Sequence, residues 1–204
     1  MNLVPSERPW QDAYHILIDA ILPRPIAWVS TLGPDGERNL APFSFFMPVS
    51  ANPMTLAFAP MRRGRMPDVK KDTLRNIEAC GEFVVNVVTR RHADAARRSA
   101  HRLPIDADEF ERAGVSAAPS IDVAPPRIAE SPVSFECVTH RIVDLGDEAG
   151  GGHLIIGRVL RVHLADELLD DRGRVVHGRL EPVGLIGAED YLGLGGLFEL
   201  ARSD

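Results

Sequence analysis

Asp72 and Thr73 open the run 70-KKDTLRNI-77, in which a helix start, a carboxylate, a hydroxyl and two lysines converge. That combination can seat an anion, because free backbone N–H groups and the positive end of the helix dipole favour negative charge, with Lys71, Arg62 and Arg63 adding full charges. A capped, solvated helix would carry the same residues, so the run leaves both uses open. A second run, 39-NLAPFSFF-46, sets Asn39, Ala41, Pro42 and Ser44 where a strand would carry bulk, and Ser30 and Thr31 precede it across a turn. Small side chains let backbone groups approach the edge of a flat polar ring, while Phe45 and Phe46 supply apolar walls.

Other chemistries find little support. The seven histidines are scattered, and none pairs at HxH or HxxxH spacing, so no metal site is expected. The nucleophile pattern GxSxG, the phosphate loop GxxxxGK[ST] and a strand-linked GxGxxG are all missing from the 204 residues. A net charge of -6 with dispersed basic residues argues against nucleic acid. Cys80 and Cys137 belong to no CxxC pair, no apolar run approaches the length of a membrane span, and a reduced, cytoplasmic, soluble protein is expected.

The elements that position these residues are mostly strands. Tyr14, Leu17, Ile18, Ile21 and Leu22 fall at helical spacing, which predicts a packed helix over 11–22 that Pro23 ends. Strands are expected at 26–32, at 40–47 with an interruption at Pro42, at 55–59 and at 82–88. Asp72 reads as the N-cap of a helix over 73–80 stopped by Gly81, and 90–100 reads as a third helix. Residues 114–132 read as a long surface connection, after which 133–143 and 153–164 form two long strands joined by 146-GDEAGGG-152. Because helices do not alternate with strands, one mainly β domain over 1–204, an antiparallel barrel with short helices, is the expected architecture.

One ligand with a phosphate at one end and a flat polar ring at the other would account for both runs, and FMN has that shape. The order PRPIAWVST, NLAPFSFF, KDTLRNI, GEFVVNVV and 135-FECV-138 resembles the flavin reductase-like family of FMN-binding split barrels, from about residue 14 to residue 191. The resemblance implies an antiparallel, Greek-key split β-barrel and a homodimer with one FMN per subunit. It places Ser30, Thr31, Lys71, Asp72 and Thr73 by the phosphate and ribityl chain. Asn39, Ala41, Pro42, Ser44, Phe45, Phe46 and Ser50 would border the ring, and Arg62 and Arg63 would add charge. It further implies an oxidoreductase taking hydride from NADH or NADPH and passing electrons to free flavin, a metal chelate or a partner oxygenase, with no catalytic acid or base of its own. A non-catalytic FMN electron carrier is the alternative. The chain departs from the family at Leu185 and Ala188, where the family often has an arginine and a glycine.

Overall fold

A computed structural model describes residues 2–62, 69–100 and 108–195. Helix α1 (Trp10–Ala20) is followed by strands β1 (Arg24–Pro25), β2 (Ala27–Leu32), β3 (Arg38–Phe43), β4 (Phe46–Ala51) and β5 (Met54–Phe58). Helix α2 (Asp72–Cys80) leads into β6 (Glu82–Val87), then α3 (Ala93–Arg98), α4 (Glu109–Ala113) and the two-residue strands β7 (Ala117–Ala118) and β8 (Arg127–Ile128). The long strands β9 (Val133–Asp144) and β10 (His153–Leu164) precede α5 (His177–Leu180) and the hairpin of β11 (Val183–Ile186) and β12 (Asp190–Gly193).

The main sheet has the order β3-β2-β6-β9-β10-β5-β4, antiparallel throughout. Strands β6, β9, β10 and β5 lie side by side, a Greek-key return. The two edges, β3 and β4, are separated in sequence only by Ser44 and Phe45. Three peptide steps from Phe43 to Phe46 span at most about 11 Å, so the edges must meet there and the sheet curls into a barrel, split at those two residues. Sequence patterning had merged β3 and β4 into one strand over 40–47. The proline does mark an edge: Pro42 lies on β3, where a missing N–H costs no ladder bond on the open side.

Strand β2 is buried on both faces, which is why it lacks simple alternation. Ala27 and Val29 join Phe43, Phe58 and Phe83 inside the barrel, which Leu74 and Ile77 of α2 help to fill. Trp28 points the other way, into a second core with Leu40, Phe110 and Ile128, and its Nε1 donates to Ser99 Oγ at 2.9 Å. That outer core is roofed by α3, α4 and the 114–132 connection, which is pinned by side-chain acceptors on the sheet. Glu136, fully buried on β9, accepts from the N–H groups of Ile121 (2.9 Å) and Asp122 (2.6 Å) and pairs with His163. Asn86 accepts from the Ile128 N–H (3.0 Å) and Glu82 from that of Ala124 (2.8 Å).

Four expectations change. Helix α1 buries only Ile18 completely, while Leu17, Ile21 and Leu22 are exposed. The N-cap position of α2 is Lys71, with extended backbone, and Asp72 is the first helical residue, paired with Arg75 instead of capping. Residues 90–100 begin as a 3₁₀ turn and only 93–98 are α-helical. Helix α4 and the β1-β11-β12 sheet were not anticipated, because their segments are too short to show a period.

Candidate functional site

Two clefts meet at the split, and Pro42 and Ser44 form the ridge between them. The larger, of about 440 Å³, is walled by Phe43, Phe45, Trp10 and Tyr14, with Arg62 and Lys71 supplying positive charge. Lys71 holds its ammonium 5.1 Å from the centre of the Phe43 ring. Such a stance combines ring attraction with a charge at the start of α2, a helix of nine residues. As sheet edges, β3 and β4 each carry a row of backbone groups with no strand partner on their open side, and residues 42–45, the end of β3 and its link to β4, line the cleft. Apolar walls, edge backbone groups and cations fit a flat ring system joined to an anion.

Beneath α2 lies a closed polar cluster. Asn39 Nδ2 donates to Thr31 Oγ1 and Thr73 Oγ1, both at 3.0 Å, and Asn76 Nδ2 donates to Thr31 Oγ1 at 3.0 Å. All four residues are buried, and they tie the first turn of α2 to β2 and β3. Nearby, Glu109 caps the open edge of β3 by accepting from the Leu40 N–H. Burial pushes its carboxyl up to about 7; the Leu40 bond works against this, and Asp72 and Asp108 add to it.

Of the residues expected from sequence, Pro42, Ser44, Phe45, Arg62 and Lys71 line the larger cleft, and Thr31, Asn39 and Thr73 gather in the cluster behind it. Asp72 stands in the first turn of α2. Ala41 and Phe46 pack against the barrel core. Ser30 faces the outer core, where its hydroxyl donates to the Pro126 carbonyl, and Ser50 is exposed on β4; neither lines either of these two clefts. Arg63 lies outside the described residues.

Sequence reasoning missed three features that wall or brace the larger cleft. Trp10 and Tyr14 come from α1, with ring centres 6.3 Å apart. Trp10 rests on Gly150, where φ is +85° and a Cβ would come within 2.6 Å of the indole; glycine is needed there for both reasons. The Gly-rich loop also receives the Arg62 Nε on the Gly146 carbonyl at 2.7 Å, while Asp144 pairs with the guanidinium at 3.0 Å. Arg24, buried between the prolines of PRP, is the third. It donates to the carbonyls of Ile18 and Gly187 and, at 3.4 Å, to Ser44 Oγ, so one guanidinium joins α1, the β11-β12 turn and the ridge. Its signal was a lone arginine in an apolar run.

Comparison with known proteins bears on this geometry. The family described as "Flavin reductase like domain" matches residues 20–179. Nitrilotriacetate monooxygenase component B from Bacillus cereus superposes with a TM-score of 0.91 at 33% identity, covering 98% of each chain. A 2-nitrobenzoate 2-nitroreductase from Pseudomonas fluorescens gives 0.84 at 26% identity, over 100% of this chain and 96% of its own. A flavin reductase from Pseudomonas putida is 28% identical over 146 residues, 71% of this chain and 75% of that protein.

Proposed function

Since this chain belongs to the flavin reductase-like family, we propose that its larger cleft holds FMN and that it is an NAD(P)H-dependent flavin reductase. The observation that carries the reading is the pairing, in one cleft of about 440 Å³, of aromatic walls with two cations, Lys71 at the start of α2 and Arg62 anchored to the Gly-rich loop. In this assignment the FMN phosphate is held by Lys71, Arg62 and the first N–H groups of α2, and Thr31, Asn39 and Thr73 keep that helix start in place. Phe43, Phe45 and the ridge at Pro42 and Ser44 border the ring, with Trp10 and Tyr14 excluding water from one side. The cofactor, when bound, supplies the hydride chemistry, and the residues named here bind, orient and dry it.

The donor is NADH or NADPH, and the acceptor is free flavin, a metal chelate or a partner oxygenase. One domain spans the chain, acts in the cytoplasm and pairs as a homodimer. The exposed Ile16 and Leu17 of α1, with Ile21 and Leu22 just past its end, support the pairing, since four large apolar side chains within seven residues call for a cover. Sedimentation should give twice the chain mass; a monomer that holds FMN tightly would refute the dimer. Anaerobic stopped-flow mixing of FMN-loaded protein with NADH, then NADPH, tests the activity: bleaching of the flavin band establishes a reductase and its donor. A band unchanged by either donor would leave an electron carrier.

A further inference from the structure

The smaller cleft, about 330 Å³ in volume, plays no part in that reading. We propose that it is a binding site for a small aromatic carboxylate, seated beside the larger cleft across the Pro42 and Ser44 ridge. The proposal goes beyond the flavin assignment and does not require it.

Its walls are flat and apolar where Ile26, Pro42 and Leu185 line it, and its polar groups are mostly donors. Arg97, in the last turn of α3, offers a planar guanidinium that no hydrogen bond or ion pair engages among the described residues. Such a fork matches a carboxylate with two parallel N–H bonds. Burial pushes the Tyr191 phenol up, despite the neighbouring Arg97, so at neutral pH its O–H remains a donor. Ser44 Oγ already accepts from Arg24, which leaves its hydroxyl proton to give. Three donors around one apolar slot select an anion with a flat body. The volume lies at the small end of ligand sites and suits one ring system in preference to a whole dinucleotide. Glu189 is the opposing charge in the cleft, and it makes the proposal sharper: removing it must strengthen binding while removing Arg97 weakens it.

The test is calorimetric titration of the purified protein with benzoate and with uncharged benzamide, in flavin-loaded and flavin-free samples. Benzoate should bind once per chain, benzamide at least about tenfold more weakly, and Arg97→Ala should weaken benzoate at least about tenfold. Arg97→Lys should fall between the two, and Glu189→Gln should tighten binding by roughly threefold. Arg97 and Glu189 are exposed, so circular dichroism should be unchanged in all three variants. Absence of benzoate binding at millimolar concentration, equal affinity for benzamide, or affinities indifferent to both substitutions would overturn the proposal. So would a raised KM for the nicotinamide donor in Arg97→Ala with benzoate unaffected, since the cleft would then belong to the donor. Benzoate binding by a protein that takes no FMN would refute the larger cleft's assignment and leave this one standing.

Discussion

Replacing Thr73 with valine should cost both stability and flavin. Asn39 Nδ2 has two hydrogens and spends one on Thr31 and one on Thr73, each at 3.0 Å. Valine keeps the shape of threonine, so no cavity opens, but a methyl replaces the acceptor and one buried N–H is left unpaired. That loss is worth about 1–3 kcal/mol. In a domain of this size 1 kcal/mol moves the melting midpoint by about 2–4 °C, so a fall of roughly 2–12 °C is expected. Thr31→Val removes an acceptor shared by Asn39 and Asn76, orphaning two donors, and should lower the midpoint further. Calorimetric melting of the two variants beside the parent checks the order, and fluorescence titration should show FMN binding weakened by about 1–3 kcal/mol in Thr73→Val. A midpoint within 1 °C of the parent, or Thr73→Val costing more than Thr31→Val, would refute the reasoning.

Lys71→Ala should weaken FMN by about 1–3 kcal/mol through a lost charge-assisted bond, with little change in melting because the side chain is only half-buried; unchanged affinity would move the phosphate elsewhere. Gly150→Ala, forced against Trp10 at 2.6 Å, should shift the indole, alter its fluorescence and loosen flavin binding; spectra and affinity identical to the parent would contradict the packing. Glu109 sets a pH dependence: with a native value of about 7 against about 4.3 unfolded, it keeps a proton that the unfolded chain has lost. Stability from this group therefore falls as pH rises from about 4.3 to about 7 and then levels, and Glu109→Gln should flatten that part of a urea-melting profile. Glu136 has the opposite sign: burial alone would raise it, but His163 and the N–H groups of Asp122 and Ile121 prevail and lower it. Its contribution is complete above the unfolded value and lost as pH falls through the folded one, so Glu136→Gln should blunt acid unfolding, and an unaltered acid limb would remove that role.

What was legible in the sequence was whatever had a period, a breaker or a sharp turn. Pro23 ending α1, Gly81 ending α2 and Pro42 on an edge strand all act locally, and each leaves its mark within a few residues. The break between β3 and β4 did not show, because Ser44 and Phe45 carry no turn signature; only the different partners of the two strands, β2 for β3 and β5 for β4, separate them. The two-faced burial of β2 likewise depends on α4 and the 114–132 connection arriving from elsewhere. At the site, the small residues of 39–46 and the basic start of α2 were visible as composition. Ser30 was not separable from Thr31, since a period of two sends neighbours to opposite faces and nothing local says which face holds the cleft. Trp10, Gly150 and Arg24 reach the site through packing, which spacing along the chain does not encode.

The most direct test of the central claim, that the larger cleft binds FMN by its phosphate, is a pair of fluorescence titrations of the flavin-free protein with FMN and with riboflavin, which differ only in that phosphate. FMN should bind at least about tenfold more tightly, and the difference should shrink in Lys71→Ala. Equal affinities for the two flavins would contradict the account.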